Sequence, residues 1–388
     1  MAQITMAVTN PYEPDPRVQK EAASLVAAGH RVRVYAFDRL HAAKTTRETL
    51  EGVEIVRLQL GRYPYGKPVP TAIGLSRFLR AVKQELLRDK PDVMHCHDQD
   101  TCPLGVFWQK QRSAAGRPGR FVFDAHDLYW TFILAGGDAA WRHAISGVQR
   151  VAAMRYVYKA DLLITVTEGK QHPGYAEIYR GWGVDPLVIW NASRAVTAIP
   201  PLPERFTLGY YGYVRDTSMF EWLVAAIETL PAEQRPALRV AGAGVAQERV
   251  RELLMQASAR LNIPVQVTGA FEMRELGALM AQCSAQFCVY SLRDGNMSRT
   301  MPVKLFDAVA HGRPVIGNEG TLMGDYIRDR NWGWTVTEGD VAGLARAIAS
   351  ANERLHGLSV PPPLAAAPTW EEQGDKLCAA YERLLAGA

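Results

Sequence analysis

Cysteine is scarce in this chain of 388 residues: there are five, Cys96, Cys102, Cys283, Cys288 and Cys378, with no Cys-x-x-Cys pair among them. An odd, scattered set excludes a disulfide framework and a zinc ribbon, and it suits a reducing cytoplasm. A dominant charge is lacking as well, since 44 Lys and Arg against 40 Asp and Glu leave a formal +4. Total charge therefore gives no ground for a nucleic-acid partner or an acidic tail. No stretch approaches the ~20 apolar residues needed to span a bilayer, and no charged region precedes a sustained apolar run at the start, so neither a membrane span nor a secretion signal is expected. The Gly-x-Gly-x-x-Gly turn with which a dehydrogenase holds NAD is also missing after the first strand, where NPYEPDPRV (10–18) stands instead.

What is present is ample apolar material, 48% of the residues, enough for a large core, and a length that favours two domains over one. Short Val- and Ile-rich runs alternate with helix-like segments, the pattern of parallel strands joined by crossover helices. Strands are expected at 3–8, 31–36, 53–58, 92–95, 120–124 and 162–166, with helices such as 16–28, 74–89 and 141–158. The stretch TAIPPLPER (197–205) breaks the series with three prolines and reads as a linker. A second series follows: strands at 206–211, 237–241, 265–268, 285–289, 314–316 and 333–336, with helices at 218–229, 245–260, 273–281, 303–311 and 340–353. The expected division is a first domain over 1–196, a second over 206–368, and a closing helix over 369–388 that returns to the first. Doubly wound sheets bind ligands beyond the C-terminal ends of their strands, so the chemistry is expected in a cleft that the two domains face.

Two stretches carry most of the local signal. In NPYEPDPRV, Asp15 can cap a helix with Pro16 at its first position and Arg17 in its first turn. In GNMSRTMPVKLFDAVAHGRPVIG (295–317), Pro302 suits a helix start, and Lys304 and Asp307 lie three apart on one face. Such a helix end can hold a phosphate through its N–H groups and Lys304, while the carboxylate accepts hydrogen bonds from ribose hydroxyls. An ordinary capped helix with an i,i+3 ion pair is the competing reading.

HCHDQDT (95–101) invites a metal, with His95, His97, Asp98 and Asp100 close together. Alternation along a strand puts the histidines on one face, but no distant partner completes a ligand set, so no metal is expected and acceptor binding by His97 and Asp98 is the better reading. The segment 75–90 sets Leu75, Phe78, Leu79, Val82 and Leu86 along one face beside Arg77, Arg80, Lys83, Arg88 and Lys90. A helix packed on the sheet with a solvated basic face explains it; a peripheral contact with anionic lipid is the sharper alternative.

The second stretch, with SAQFCVYSLRDG before it, resembles the donor-site signature of the retaining glycosyltransferases of family 4, whose GT-B fold is a pair of Rossmann-like domains. Further similar segments occur in that family's order: DPRVQKEAASLVAAGHRVRVYA (15–36), DVMHCHDQDT (92–101), FDAHDLYW (123–130), ADLLITVTEG (160–169), VIWNAS (188–193), LGYYGYV (208–214) and TWEEQGDKL near the end. The resemblance implies transfer of a sugar from a nucleotide-diphosphate sugar to a sugar, lipid-linked or small-molecule acceptor, with the donor as co-substrate and neither cofactor nor metal. It implies catalytic roles for His126, Lys304 and Asp307. Donor contacts are implied for Gly212, Arg215, Gly242, Gly244, Asp294, Gly295, Arg299, Pro302, Lys304 and Asp307, and acceptor contacts for Arg17, His97, Asp98, Asp127 and Glu168. Four positions depart from the family. Arg299 stands where the first of two glutamates is usual, with Asp307 at the second, and Tyr213 and Ser218 replace the usual pyrophosphate cations, leaving Arg215 as the nearest one. A nucleotide-sugar epimerase, a phosphorylase or a non-catalytic nucleotide-sugar binder on the same fold are the alternatives.

Overall fold

The computed structural model describes residues 1–388 apart from Pro14, Tyr65, Gly66, Arg117, Pro118, Asp294, Ala388 and the side chain of Ala135. The chain forms two compact units. The first comprises Met1–Glu168, Tyr175–Trp190 and Trp370–Ala388; the second comprises Gly169–Gly174 and Asn191–Thr369.

The first unit holds strands β1 (Gln3–Val8), β2 (Arg31–Phe37), β3 (Arg47–Leu50), β4 (Val53–Leu58), β5 (Val93–His97), β6 (Arg120–Ala125), β7 (Leu162–Thr165) and β8 (Leu187–Val188). They lie in the order β3-β4-β2-β1-β5-β6-β7-β8, parallel except for β3 against β4. Helices α1 (Pro16–Ala27), α2 (Pro68–Asp89), α3 (Cys102–Ala114), α4 (Tyr129–Phe132), α5 (Ala140–Val157) and α6 (Tyr175–Arg180) connect them. The second unit orders β9 (Thr207–Tyr211), β10 (Ala237–Ala241), β11 (Val265–Thr268), β12 (Ala285–Cys288), β13 (Val315–Asn318) and β14 (Gly333–Val336) as β11-β10-β9-β12-β13-β14, all parallel. Its helices are α7 (Ser218–Glu228), α8 (Gln247–Leu261), α9 (Leu276–Met280), α10 (Val303–Ala310), α11 (Leu322–Asp329) and α12 (Val341–Leu355), and α13 (Trp370–Ala386) lies in the first unit.

Local chemistry accounts for the starts. The Asp15 carboxylate accepts the Val18 N–H at 3.2 Å and Pro16 opens α1, so NPYEPDPRV does act as a helix start. On one sheet face, Val18, Ala22 and Leu25 of α1 pack with Trp370, Leu377 and Tyr381 of α13 over Ile4, Met6 and Val34. Each such fully buried aliphatic side chain contributes roughly 1.5–3 kcal/mol. On the other face Phe78, Val82 and Leu86 of α2 are buried in the core.

Several elements differ from the sequence reading. β3 is RETL, an edge strand with little apolar signal that folds back on β4 through Glu51 and Gly52, both at positive φ; a tight hairpin of this kind needs such dihedrals. β5 runs on to His97, α2 begins at Pro68 rather than 74, and α11 and the two-residue β8 were not foreseen. Pro302 stands one residue outside α10, in extended conformation as its N-cap. The proline tract is not a free linker: the Leu202 N–H donates to the Ser359 carbonyl, and Arg313 donates to the carbonyls of Pro200 and Pro201. The division falls between Trp190 and Asn191, not at 196.

Candidate active site

Each unit gathers polar residues at the C-terminal ends of its strands, where parallel sheets bind ligands. In the first unit His95 and His97 alternate on β5, and His97 lies beside Asp124 of β6 in register. Asp124 is the hub. Its Oδ2 lies 2.6 Å from His126 Nε2, and both its oxygens take Arg17, the closest contact being 2.9 Å. Arg17 also reaches Glu21 at 2.9 Å and donates to the Ile189 carbonyl at 2.8 Å. The Tyr381 hydroxyl of α13 pairs with His95 Nδ1 at 2.7 Å, and His97 Nδ1 lies 3.3 Å from His126 Nε2.

The electrostatics follow from burial and from these pairs. Burial favours protonated Asp124, but Arg17 and His126 overcome it and hold the carboxyl well below the ordinary carboxylate range. Burial works against a charged His126, yet Asp124 and Asp98 raise it to about 10. Glu21 is pushed up to about 8 by burial despite Arg17. Burial lowers His95 and, further, His97, favouring their neutral forms, and it raises Asp98 well above its usual range. Asp98 stands at φ 63° and its Oδ1 accepts the N–H groups of His126 and Asp127 at 3.0 and 3.1 Å, fixing the turn after β6.

The expectation that Arg17 offers an acceptor contact is corrected here. It is 4% exposed, with its guanidinium inside the network. The planar fork suits the two oxygens of one carboxylate, which draws it inward. The distant partners that a metal reading lacked do exist, since Glu21, His95, His97 and Asp124 each bring one ligand atom to within 4.8 Å of the others. Arg17 nevertheless sits against both acids and supplies the positive charge a cation would bring, so the four fit an ion-pair cluster better than a metal. At the surface, Asp127 is exposed and His126 partly so. Glu168 pairs with Arg180 at 3.1 Å, both about two-fifths exposed.

In the second unit Lys304, near the start of α10, lays its Nζ 3.6 Å from the centroid of the Tyr210 ring and 5.2 Å from that of Tyr290. Burial and the nearby charge of Arg215 lower its pKa to about 8. No ion pair joins Lys304 to Asp307 among the described contacts; instead the Ser193 hydroxyl donates to Asp307 Oδ1. Gly212 stands at φ 133° where a Cβ would meet Lys304 Cε at 2.9 Å. At Gly242 a Cβ would stand 1.8 Å from the Gly212 carbonyl oxygen, and at Gly244 2.0 Å from that of Val214. These glycines let the turns after β9 and β10 stack backbone on backbone. Arg215 and Gly295 are exposed, Arg299 Nη1 donates to the Pro173 carbonyl at 3.3 Å, and Ser218 is drawn to Asp216 at the start of α7. Asp294 lies outside the described residues.

Residues 14–189 match the family model described as a glycosyl transferase 4-like domain, and residues 205–353 match the one described as glycosyl transferases group 1. The protein is a glycosyltransferase. Its fold is GT-B, as in solved structures of low identity. Sucrose-phosphate synthase from Thermosynechococcus elongatus is 15% identical with a TM-score of 0.71, each chain covered in full. The α,α-trehalose-phosphate synthase from Burkholderia xenovorans, in complex with glucose-6-phosphate, is 14% identical with a TM-score of 0.62, over 99% of this chain and 97% of the other. Anabaena HepE in complex with UDP-glucose is 14% identical with a TM-score of 0.60, over 99% of this chain and 100% of the other. No curated protein sequence matches.

The sequence reading of this glycosyltransferase missed Asp124, Glu21, Tyr381, Tyr210, Tyr290 and Ser193. Two carried a signal: Asp124 is two residues before His126 at the end of a strand, and Glu21 is four after Arg17 on a helix. The others meet their partners only through the tertiary fold.

Proposed function

We propose that this glycosyltransferase is a retaining enzyme that transfers a sugar from a nucleotide-diphosphate sugar to an acceptor hydroxyl, in bacterial glycan, glycolipid or secondary-metabolite synthesis. The observation that carries the reading is Lys304, a half-buried lysine whose ammonium lies over the Tyr210 ring and near that of Tyr290, beside Gly212 at the start of α10. A lysine so placed at a helix N-terminus is matched to a diphosphate. Asp307 takes the ribose, Arg215 the outer phosphate, and the turns built on Gly212, Gly242 and Gly244 bring backbone close to the nucleotide. Pro302, Gly295 and Arg299 lie on the same strand-to-helix connection, and Asp294 is assigned to the donor from the sequence alone. The complexes of HepE with UDP-glucose and of trehalose-phosphate synthase with glucose-6-phosphate support a nucleotide-sugar donor and a sugar acceptor.

In this reading the bond between the anomeric carbon and the diphosphate oxygen breaks as the acceptor oxygen bonds on the same face, and the acceptor proton passes to a phosphate oxygen. Lys304 stabilises the charge that grows on the leaving group. His126 remains charged through neutral pH, which suits it to donate a hydrogen bond to the donor sugar and unsuits it as a base. His97, Asp98, Asp127 and Glu168 are assigned to the acceptor. No resident cofactor or metal is proposed, and the working place is the cytoplasm. The test is a panel of nucleotide-diphosphate sugars scored by thermal shift and by release of nucleoside diphosphate. A ligand at a hundred times its dissociation constant stabilises by ~2.7 kcal/mol. Stabilisation with no turnover under any acceptor would assign the protein to the non-catalytic binders, which the Arg299, Tyr213 and Ser218 departures favour.

A further inference from the structure

Two tyrosines stand beside Lys304, and their hydroxyls are treated differently. Tyr210, in β9, donates to the Tyr213 carbonyl at 2.8 Å, and its neighbour Tyr211 donates to the Leu279 carbonyl at 2.8 Å. The hydroxyl of Tyr290, in the loop after β12, is buried and has no hydrogen-bond partner among the described residues. A buried hydroxyl left unpaired works against stability, and native folds keep few of them. The loop does not leave this ring adrift. The Asn318 side chain, buried at the end of β13, accepts the Tyr290 N–H at 2.8 Å and donates to the Tyr290 carbonyl at 2.9 Å, and Glu338 accepts the Leu292 N–H at 3.1 Å. Burial, with Cys288 and Tyr210 adding to it, holds the hydroxyl well above its ordinary pKa against the pull of Arg215. The group therefore keeps its proton and can donate. The charge of Arg215 is felt at this hydroxyl and at Lys304 alike, and Lys304 Nζ lies 5.2 Å from the centroid of the Tyr290 ring.

We infer that Tyr290 is a donor-binding residue whose hydroxyl donates a hydrogen bond to the outer phosphate of the nucleoside diphosphate. The inference rests on the nucleotide-sugar reading of this site. Lys304 and Arg215 draw that phosphate to the ends of β9 and β12, and a phosphate oxygen is the acceptor the hydroxyl lacks. A hydrogen bond to an anion is about twice as strong as one between neutral groups. In the free protein the Lys304 ammonium rests over the Tyr210 ring. As it turns to the diphosphate it makes room beside Tyr290, so that lysine and tyrosine close on the same group. The unpaired hydroxyl of the free protein is then satisfied only by a ligand that has an outer phosphate, and a nucleoside monophosphate leaves it unpaired, which is how buried polar groups discriminate between ligands. In the transfer itself this phosphate gains charge as the sugar departs, and the same hydrogen bond strengthens.

The test is calorimetric titration of the full chain and of Tyr290→Phe with UDP against UMP, and with ADP against AMP and GDP against GMP in case the parent selects another base. The variant keeps the ring and loses the hydroxyl alone. Affinity for the diphosphate is expected to fall about tenfold, while affinity for the monophosphate stays at the parent's value. Thermal unfolding without ligand should match the parent or lie above it, because no paired group is lost. Equal diphosphate binding by parent and variant, an equal loss for the monophosphate, or a variant less stable than its parent would each overturn the inference, the last by giving the hydroxyl a structural partner. Lys304→Ala separates this result from the reading beneath it. If Lys304→Ala loses the diphosphate and Tyr290→Phe does not, the role of Tyr290 alone falls. If both variants bind as the parent does, or the parent binds none of the three diphosphates, the donor site itself is wrongly assigned.

Discussion

His126 Nε2 lies 2.6 Å from Asp124 Oδ2, and Arg17 closes on the same carboxylate from α1 at 2.9 Å. One buried anion thus holds two cations, one facing the interior and one near the surface. Asp124→Asn keeps the volume but takes from the buried guanidinium of Arg17 the carboxylate it grips with two of its nitrogens, leaving it Glu21. Breaking a buried pair from one side costs about 3–5 kcal/mol, so urea denaturation should show a loss of that order. The double variant Arg17→Met/Asp124→Leu removes both members of the pair and should recover part of it, with Glu21 and His126, which lose their partners, turning neutral. An Asp124→Asn protein as stable as its parent would show that the pair is not coupled.

The same cluster sets a pH dependence. Folding raises Glu21 from its ordinary value of 4.5 to about 8 and His126 from 6.5 to about 10, so the folded state binds more protons than the unfolded chain. The Glu21 contribution is therefore whole below 4.5 and is lost as pH climbs to 8; that of His126 is whole below 6.5 and lost by 10. Asp124 runs the other way, its contribution falling only in acid. Thermal unfolding across this range should decline more steeply in the parent than in Glu21→Gln, whose side chain cannot titrate. Parallel curves would mean that Glu21 is already ionised in the fold.

Much of this arrangement was legible in the residues and some was not. Alternating apolar strands and helices gave two doubly wound sheets, and Asp15 with Pro16 gave the start of α1, because those signals are local. β3 was illegible because RETL at a sheet edge buries little. Arg17 was misjudged for a related reason: a cation in a first helical turn looks exposed until Asp124, 107 positions away, is known to lie beneath it. Lys304 was found as a charge, but the tyrosine rings that hold it come from β9 and the loop after β12 and could not be read from its neighbours.

Lys304 provides the direct test of the donor site. Lys304→Ala should lower turnover at least about tenfold and weaken nucleoside diphosphate binding with the fold intact. Its pKa in the free protein is lowered to about 8, and only the charged form attracts a diphosphate. Affinity should hold below pH 8 and fall above it as the free ammonium loses its proton. Lys304→Arg should remove that fall because a guanidinium stays charged, although its fork fits the tyrosine slot less well. Calorimetric titration with UDP across pH 7–10 checks both, and a pH-independent affinity in the parent would refute the assigned role.

Gly242 tests whether the backbone itself shapes the nucleotide turn. Its φ is 153°, and a Cβ there would stand 1.8 Å from the Gly212 carbonyl oxygen, far inside contact distance. Gly242→Ala must therefore push apart the turns after β9 and β10, and strain of this kind costs on the order of 1–3 kcal/mol. The displaced Gly212 turn also borders Lys304, so nucleotide affinity should fall further than stability does. Gly357→Ala makes the useful control, since Gly357 too has positive φ but has no atom within 4 Å of the added Cβ; it should cost stability without touching affinity. If both variants lose stability and keep their nucleotide affinity, the Gly212–Gly242 contact serves the fold alone.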